Sequence, residues 1–204
     1  MKKRVIGIDP GLANTGFGVV DVVAGRLRLV SYGVIETPST ESHEVRLLAI
    51  YNRLLAVLDE FRPDEAEIEA LYFSRNSSSA LAVAEAKGVI SLCVAQQGIP
   101  LFEYTPNQIK SAVTGTAAAD KETVEQYVKI LLNLKVEPKP DHAADALAGA
   151  ITHIHTTGYA DAFFRSQVSL LQSSSFHACE CHSCLYIHSY LQHSKFNVHR
   201  RGFH

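Results

Sequence analysis

Short apolar runs alternate with stretches of helical spacing along this 204-residue chain, and the two periods divide it into elements. Residues 4–8 form a β-branched run that breaks into Pro10 and Gly11, which predicts a buried strand ending in a sharp turn. Residues 16–23 and 27–35 read as two further strands joined through Ala24-Gly25-Arg26, giving a three-stranded antiparallel start. Beyond the loop Thr37-Pro38-Ser39-Thr40, Ser42 is placed to cap a helix in which Val45, Leu48, Leu55 and Leu58 recur at helical spacing and which stops before Pro63. Residues 66–71 alternate as a strand. Residues 76–97 form a helix that is apolar nearly all round, central to the core or shared with a partner chain. A strand at 99–104, short helices at 107–113 and 121–134, a linker at Pro138 and Pro140, and a helix at 141–155 complete the pattern. Strands first, then alternating helix and strand, predict an α/β fold with a mixed sheet and helices packed on its faces.

From residue 158 the texture changes to Ser, His and Cys, with six of the ten histidines and three of the four cysteines. The expected organisation is therefore one domain over 1–157 and a separate tail over 158–204, disordered or loosely attached. Hydrophobic residues make up 47% and charged residues 20%, as in an ordinary globular protein, and the formal net charge is −2, so any nucleic-acid contact must use a local patch. No apolar run approaches the ~20 residues that span a membrane, and the cysteines form no disulfide framework, so a cytoplasmic protein is expected.

Asp9 ends the first strand on the face of Val5 and Gly7, and Glu69 lies near the end of the fourth strand on the face of Glu67. At about 100° per residue, His142 and Asp145 share one stripe of the last helix, with Ala144, Leu147, Ile151 and Ile154 opposite. Asp141, directly after Pro140, is expected to be the N-cap of that helix. Carboxylates at two strand ends and a His/Asp pair at a helix start can converge on hard divalent cations, and two such ions suit phosphodiester hydrolysis.

Ile6-Gly7-Ile8-Asp9-Pro10-Gly11 with Thr15-Gly16-Phe17-Gly18-Val19, then Ile68-Glu69 with Tyr72-Phe73, then Tyr104-Thr105-Pro106 with Gln108, Lys110 and Val113-Thr114-Gly115, and finally Asp141-His142-Ala143-Ala144-Asp145-Ala146-Leu147-Ala148, resemble the RuvC family of Holliday-junction resolvases in content and order. The resemblance spans about residues 4–155. It implies an RNase H-like mixed β-sheet flanked by α-helices, and a Mg²⁺-dependent endonuclease, with two ions per site and Mn²⁺ as substitute. It also implies paired symmetric nicks in four-way DNA junctions during recombination and repair. The implied partners are junction DNA, a second copy of the chain and the branch-migration helicase complex of the same pathway. Carried over by position, Asp9, Glu69, His142 and Asp145 are the catalytic metal ligands, with Asp141 replacing His142 only if the helix start is shifted. Lys110 and Lys121 are expected to approach DNA phosphates and Tyr72 to stack at the junction centre. Because imidazole ligates only when neutral, cleavage is expected to fall as pH drops through about 6.

Thr116-Ala117-Ala118-Ala119 departs from the glycine and basic residues of many members. In the tail, Cys179, Cys181 and Cys184 with His177, His182 or His188 supply donors enough for zinc, yet the spacing is not that of a paired finger, and a disordered terminus is the preferred reading. Two alternatives belong to other classes. One is a non-catalytic junction-binding module, set lower because all four ligand positions hold competent residues. The other is an actin-like or sugar-kinase-like nucleotide-binding protein, which needs a second phosphate hairpin that the sequence lacks. The helix at 76–97 is the expected dimer interface, with Glu85 on it.

Overall fold

The computed structural model describes residues 2–71 and 77–159. Its elements are β1 (Lys2–Asp9), β2 (Asn14–Val23), β3 (Arg26–Glu36), α1 (His43–Phe61), β4 (Glu65–Glu69), α2 (Ser77–Gln96), β5 (Leu101–Tyr104), α3 (Pro106–Thr114), α4 (Lys121–Leu131) and α5 (Asp141–Thr156). The strands form one mixed sheet in the order β3-β2-β1-β4-β5, antiparallel across β1, β2 and β3 and parallel from β1 to β4 to β5. This is the expected α/β sheet flanked by helices.

Strand alternation sorts the core into two layers. Val5, Val20 and Val22 face α5, where Leu147, Ala150, Ile151 and Ile154 are buried, with α3 and α4 outside them. Ile6, Ile8, Val19, Ala66 and Ile68 point to the other face, against Ile50, Leu54 and Leu58 of α1 and Ile90, Cys93 and Val94 of α2. Burial of these side chains, each contributing roughly 1.5–3 kcal/mol, holds both layers to the sheet.

The glycines of the first two strands are explained by α5. A Cβ on Gly7 would collide with the backbone carbonyl of Ala146, and one on Gly16 with that of His142. Their absence lets α5 lie directly on the β1 and β2 backbones. Its buried side is correspondingly small: Ala143, Ala144, Ala146, Ala148, Gly149 and Ala150.

Several boundaries differ from expectation for local reasons. Glu65 extends β4 at its start, pairing with Val5, and the strand ends at Glu69 instead of residue 71. The α4 helix ends at Leu131, because Asn133 turns into the left-handed region at φ 52°. Ser42 occupies the N-cap of α1, but its hydroxyl donates to Glu44 Oε1 at 2.6 Å instead of capping the backbone. Thr105 does cap α3, within a reciprocal box: its Oγ1 accepts from Gln108 N and Gln108 Oε1 accepts from Thr105 N. Pro140, not Asp141, is the N-cap of α5, since its carbonyl accepts from Ala143 N at 3.0 Å and Asp141 is already helical. Tyr159, just past α5, donates to Glu65 Oε1 at 2.8 Å. Tyr72 and the tail cysteines lie outside the described residues.

Candidate active site

The end of the sheet where β1 and β4 stop carries Asp9 and Glu69 on neighbouring parallel strands. The N-terminal turn of α5 brings His142 and Asp145 to the same place. The seam of glycines makes this meeting possible: His142 Nδ1 lies 2.7 Å from Asp9 Oδ2, across 133 residues of sequence. Lys121, at the start of α4, donates to Asp145 Oδ2 at 3.2 Å and approaches Asp141 Oδ2 at 3.3 Å. Asp141 also pairs with Lys139 at 3.0 Å, and Lys139 reaches buried Glu125 at 2.9 Å. His142 thus touches Asp9, whereas Asp141 is held at the rim by two lysines.

Crowding shows in the protonation chemistry. Burial, then the charges of Asp9 and Asp145, push the Glu69 carboxyl up to about 7. Burial also raises Asp145, against the opposing pull of Lys121. Lys121 is itself held above its ordinary range, because Asp145 and Asp141 outweigh the burial that disfavours its charge. A cavity of about 180 Å³ opens beside these groups, lined by Glu69, Lys110, Lys121 and Asp145 together with Pro106, Ile109, Val124 and Ala148. Both lysines singled out from the sequence therefore stand on the rim of the acid cluster.

Among the described residues no three His, Cys, Asp or Glu side chains form a ready-made metal cage. The donors are spent on one another and on Lys121: His142 on Asp9, Asp145 on the ammonium. The chemistry of the set nonetheless fits hard divalent cations. Three carboxylates and an imidazole converge, and the upward shifts of Glu69 and Asp145 record a deficit of positive charge that cations would relieve.

One acid behind the site received no role from the sequence. Glu67 shares the Glu69 face of β4, and a strand at the sheet edge would simply have solvated it. Instead β4 lies between β1 and β5, and Glu67 is 1% exposed with no hydrogen-bond partner for Oε1. Burial, then Glu69 and Asp9, drive its carboxyl well above the usual range, which favours the neutral acid. It occupies the space beside Gly149 of α5, where a Cβ would collide with Glu67 Oε2. An acid between Ala66 and Ile68, with a glycine in an alanine-rich helix, was the available signal.

The family model for crossover junction endodeoxyribonuclease RuvC matches residues 5–153. A curated relative from Treponema pallidum (strain Nichols), named crossover junction endodeoxyribonuclease RuvC, is 51% identical over 151 residues, covering 74% of this chain and 77% of its own. Two solved structures are similar: Thermus thermophilus RuvC, at 37% identity, 76% and 96% coverage and TM-score 0.72, and T. thermophilus RuvC in complex with Holliday junction substrate, at 38% identity, 76% and 94% coverage and TM-score 0.73.

Proposed function

Because this chain belongs to the family of crossover junction endodeoxyribonuclease RuvC, we propose that it resolves four-way DNA junctions by paired, metal-dependent nicks in recombination and repair. The observation that carries the mechanism is the meeting of Asp9, Glu69, His142 and Asp145 at one end of the sheet. These four residues would hold Mg²⁺, with Mn²⁺ as substitute. Bound ions would supply an activated water and stabilise charge on the attacking and leaving oxygens.

The chain's own residues do the rest. Asp9 and Asp145 become free to ligate once His142 turns from Asp9 and the Lys121 ammonium leaves Asp145. Lys121, half-exposed and next to Lys110 around the cavity, then meets the phosphates of the strand. Exchange of an internal ion pair for a phosphate contact keeps the lysine charge compensated throughout. Glu69 must lose its proton to ligate, which its pKa of about 7 permits at neutral pH. Asp141 stays with Lys139 and steadies the start of α5, where an acid also complements the helix dipole. The stretch 116–119 adds no basic side chain, so phosphate contact on this side rests on Lys110 and Lys121.

A second copy of the chain is the proposed partner on α2. Its exposed stripe runs Leu81, Glu85, Gly88, Leu92 and Ala95; Leu81 is 62% and Leu92 55% exposed, and space is open above Gly88. Glu85 is tied to His43 of α1 at 2.6 Å, beside which Val45 and Leu48 are also exposed. A two-fold pairing there suits a four-way junction with two equivalent cut sites. In this reading the protein works in the cytoplasm with the branch-migration helicase of the same pathway; no helix among the described residues is long and apolar enough to cross a membrane. The test is incubation with a synthetic four-way junction and with plain duplex, in Mg²⁺ and in EDTA, on strand-resolving gels. Symmetric paired nicks in the junction alone, and only with metal, are expected; binding without cuts would leave a junction-binding module.

A further inference from the structure

A second concave site lies on the other face of the sheet from the acid cluster, at the same end. Ala13, Asn14, Glu36, Thr37, Pro38, Ser39, Arg46 and Arg53 line a cavity of about 580 Å³. Arg46 and Arg53 are two turns apart on α1 and so project from one side of the helix. Each guanidinium is anchored by a single bond on the cavity wall: Arg46 Nε donates to Thr37 Oγ1 at 2.9 Å, and Arg53 Nη1 donates to Glu36 O at 2.9 Å. The remaining N–H groups of both forks, among the described residues, have no acid partner; Glu36 also lines the cavity, leaving the lining residues a net charge of about +1.

The cavity is mechanically joined to the acid turn. Thr37 Oγ1 donates to Leu12 O at 2.5 Å and Thr37 N donates to Ala13 O at 2.9 Å, so Arg46 is bonded to the residue that clamps the loop following Asp9. Asp9 pairs with Gly16 on β2 and Asn14 with Glu36 on β3, so Glu36 sits two strands over and about two residues along. With strands ~4.8 Å apart and ~3.4 Å per residue, that is about 12 Å from Asp9, the reach of a few nucleotides of backbone.

We propose that the Arg46–Arg53 cavity is a second phosphate subsite, which holds a nucleic-acid backbone phosphate on the α1 side of the sheet while the acid cluster acts on another a few nucleotides away. It rests on the nuclease reading above. Phosphate is the shared chemistry of DNA and of small anions; two guanidinium forks in a groove open enough for a sugar-phosphate chain favour DNA.

The test uses the full chain in EDTA, with junction binding followed across salt. Arg53→Gln removes one exposed phosphate contact, so the slope of log affinity against log salt should shrink by about 1. The ratio of wild-type to variant affinity should then fall by about 3.5-fold between about 50 and 200 mM salt. Arg46→Lys, which keeps the charge but loses the fork, should weaken binding with a smaller change of slope. An Arg53→Gln slope equal to wild type would overturn the subsite. Independently, the ¹⁵N resonances of the Arg46 and Arg53 Nε groups in the wild-type protein are titrated with a short duplex and with inorganic pyrophosphate. Shifts with duplex support the subsite, while shifts with pyrophosphate alone reject the nucleic-acid assignment. If duplex moves these signals but the wild-type protein never cuts a junction, the subsite stands and the resolvase reading fails.

Discussion

Glu67 and Gly149 share one space, and a double-mutant cycle measures how strongly. In the wild-type background Gly149→Ala places a methyl on Glu67 Oε2. Both residues are buried between β4 and α5, so the overlap must be absorbed by the helix seat or the strand, at about 1–3 kcal/mol. Against that, alanine is favoured over glycine inside a helix by about 1 kcal/mol. The net expected loss is about 0–2 kcal/mol. Glu67→Ala empties the space and removes a carboxyl whose Oε1 has no partner. In that background the same Gly149→Ala enters a vacancy and should stabilise by about 1 kcal/mol. The expected coupling is therefore about 1–3 kcal/mol, or roughly 2–12 °C in Tm for a domain of this size. Urea and thermal unfolding in EDTA, at a fixed pH near 5, provide the assay. Additivity within about 0.5 kcal/mol would refute the shared space and the burial of Glu67 with it.

Other expectations follow from the same site. Glu69 and Glu67 are both raised in the fold, so without metal they bind more protons folded than unfolded; stability is full below about pH 4.5 and falls as pH rises toward 7. For Glu69, partly exposed, this amounts to about 2 kcal/mol after allowance for solvent screening; a metal-free protein whose Tm is flat from pH 5 to 7 would contradict it. Asp9→Asn should cut junctions at least about 100-fold more slowly while binding them as wild type does, since phosphate contacts come mainly from basic residues; full cleavage with unchanged Mg²⁺ dependence would remove Asp9 from the ligand set. Glu85→Arg on the exposed α2 stripe should shift sedimentation toward the monomer, and an unchanged dimer mass would move the interface elsewhere.

Much of the sheet was legible because β1, β2 and β3 announce themselves by alternation and by turns at Pro10-Gly11 and Ala24-Gly25. Asp9 and Glu69 could be placed at strand ends for the same reason, and His142 with Asp145 by helical spacing. What local periodicity does not carry is strand order. Only with β4 between β1 and β5 does Glu67 change from a solvated edge residue to a buried acid. The His142–Asp9 contact was hidden likewise, because it depends on α5 crossing β1 and β2 at their glycines. The Asp141 assignment failed on finer ground: Pro140 took the cap with its carbonyl, which a side-chain preference for acidic caps does not register.

The seat of α5 on Gly7 and Gly16 also bears on how this protein tolerates change. Where helix and strand meet through side chains, their spacing drifts with every substitution of core volume. At Gly7 and Gly16 peptide group rests on peptide group, so the spacing of the backbones that carry Asp9 and His142 is set there by main-chain dimensions. The molecule carries a ruler that is independent of its upholstery. Exchange of Val5, Leu147 or Ile151 for residues of other shapes is expected to cost stability before it moves Asp9 from His142. Residues 7 and 16 are places where a single added methyl would meet the α5 backbone itself.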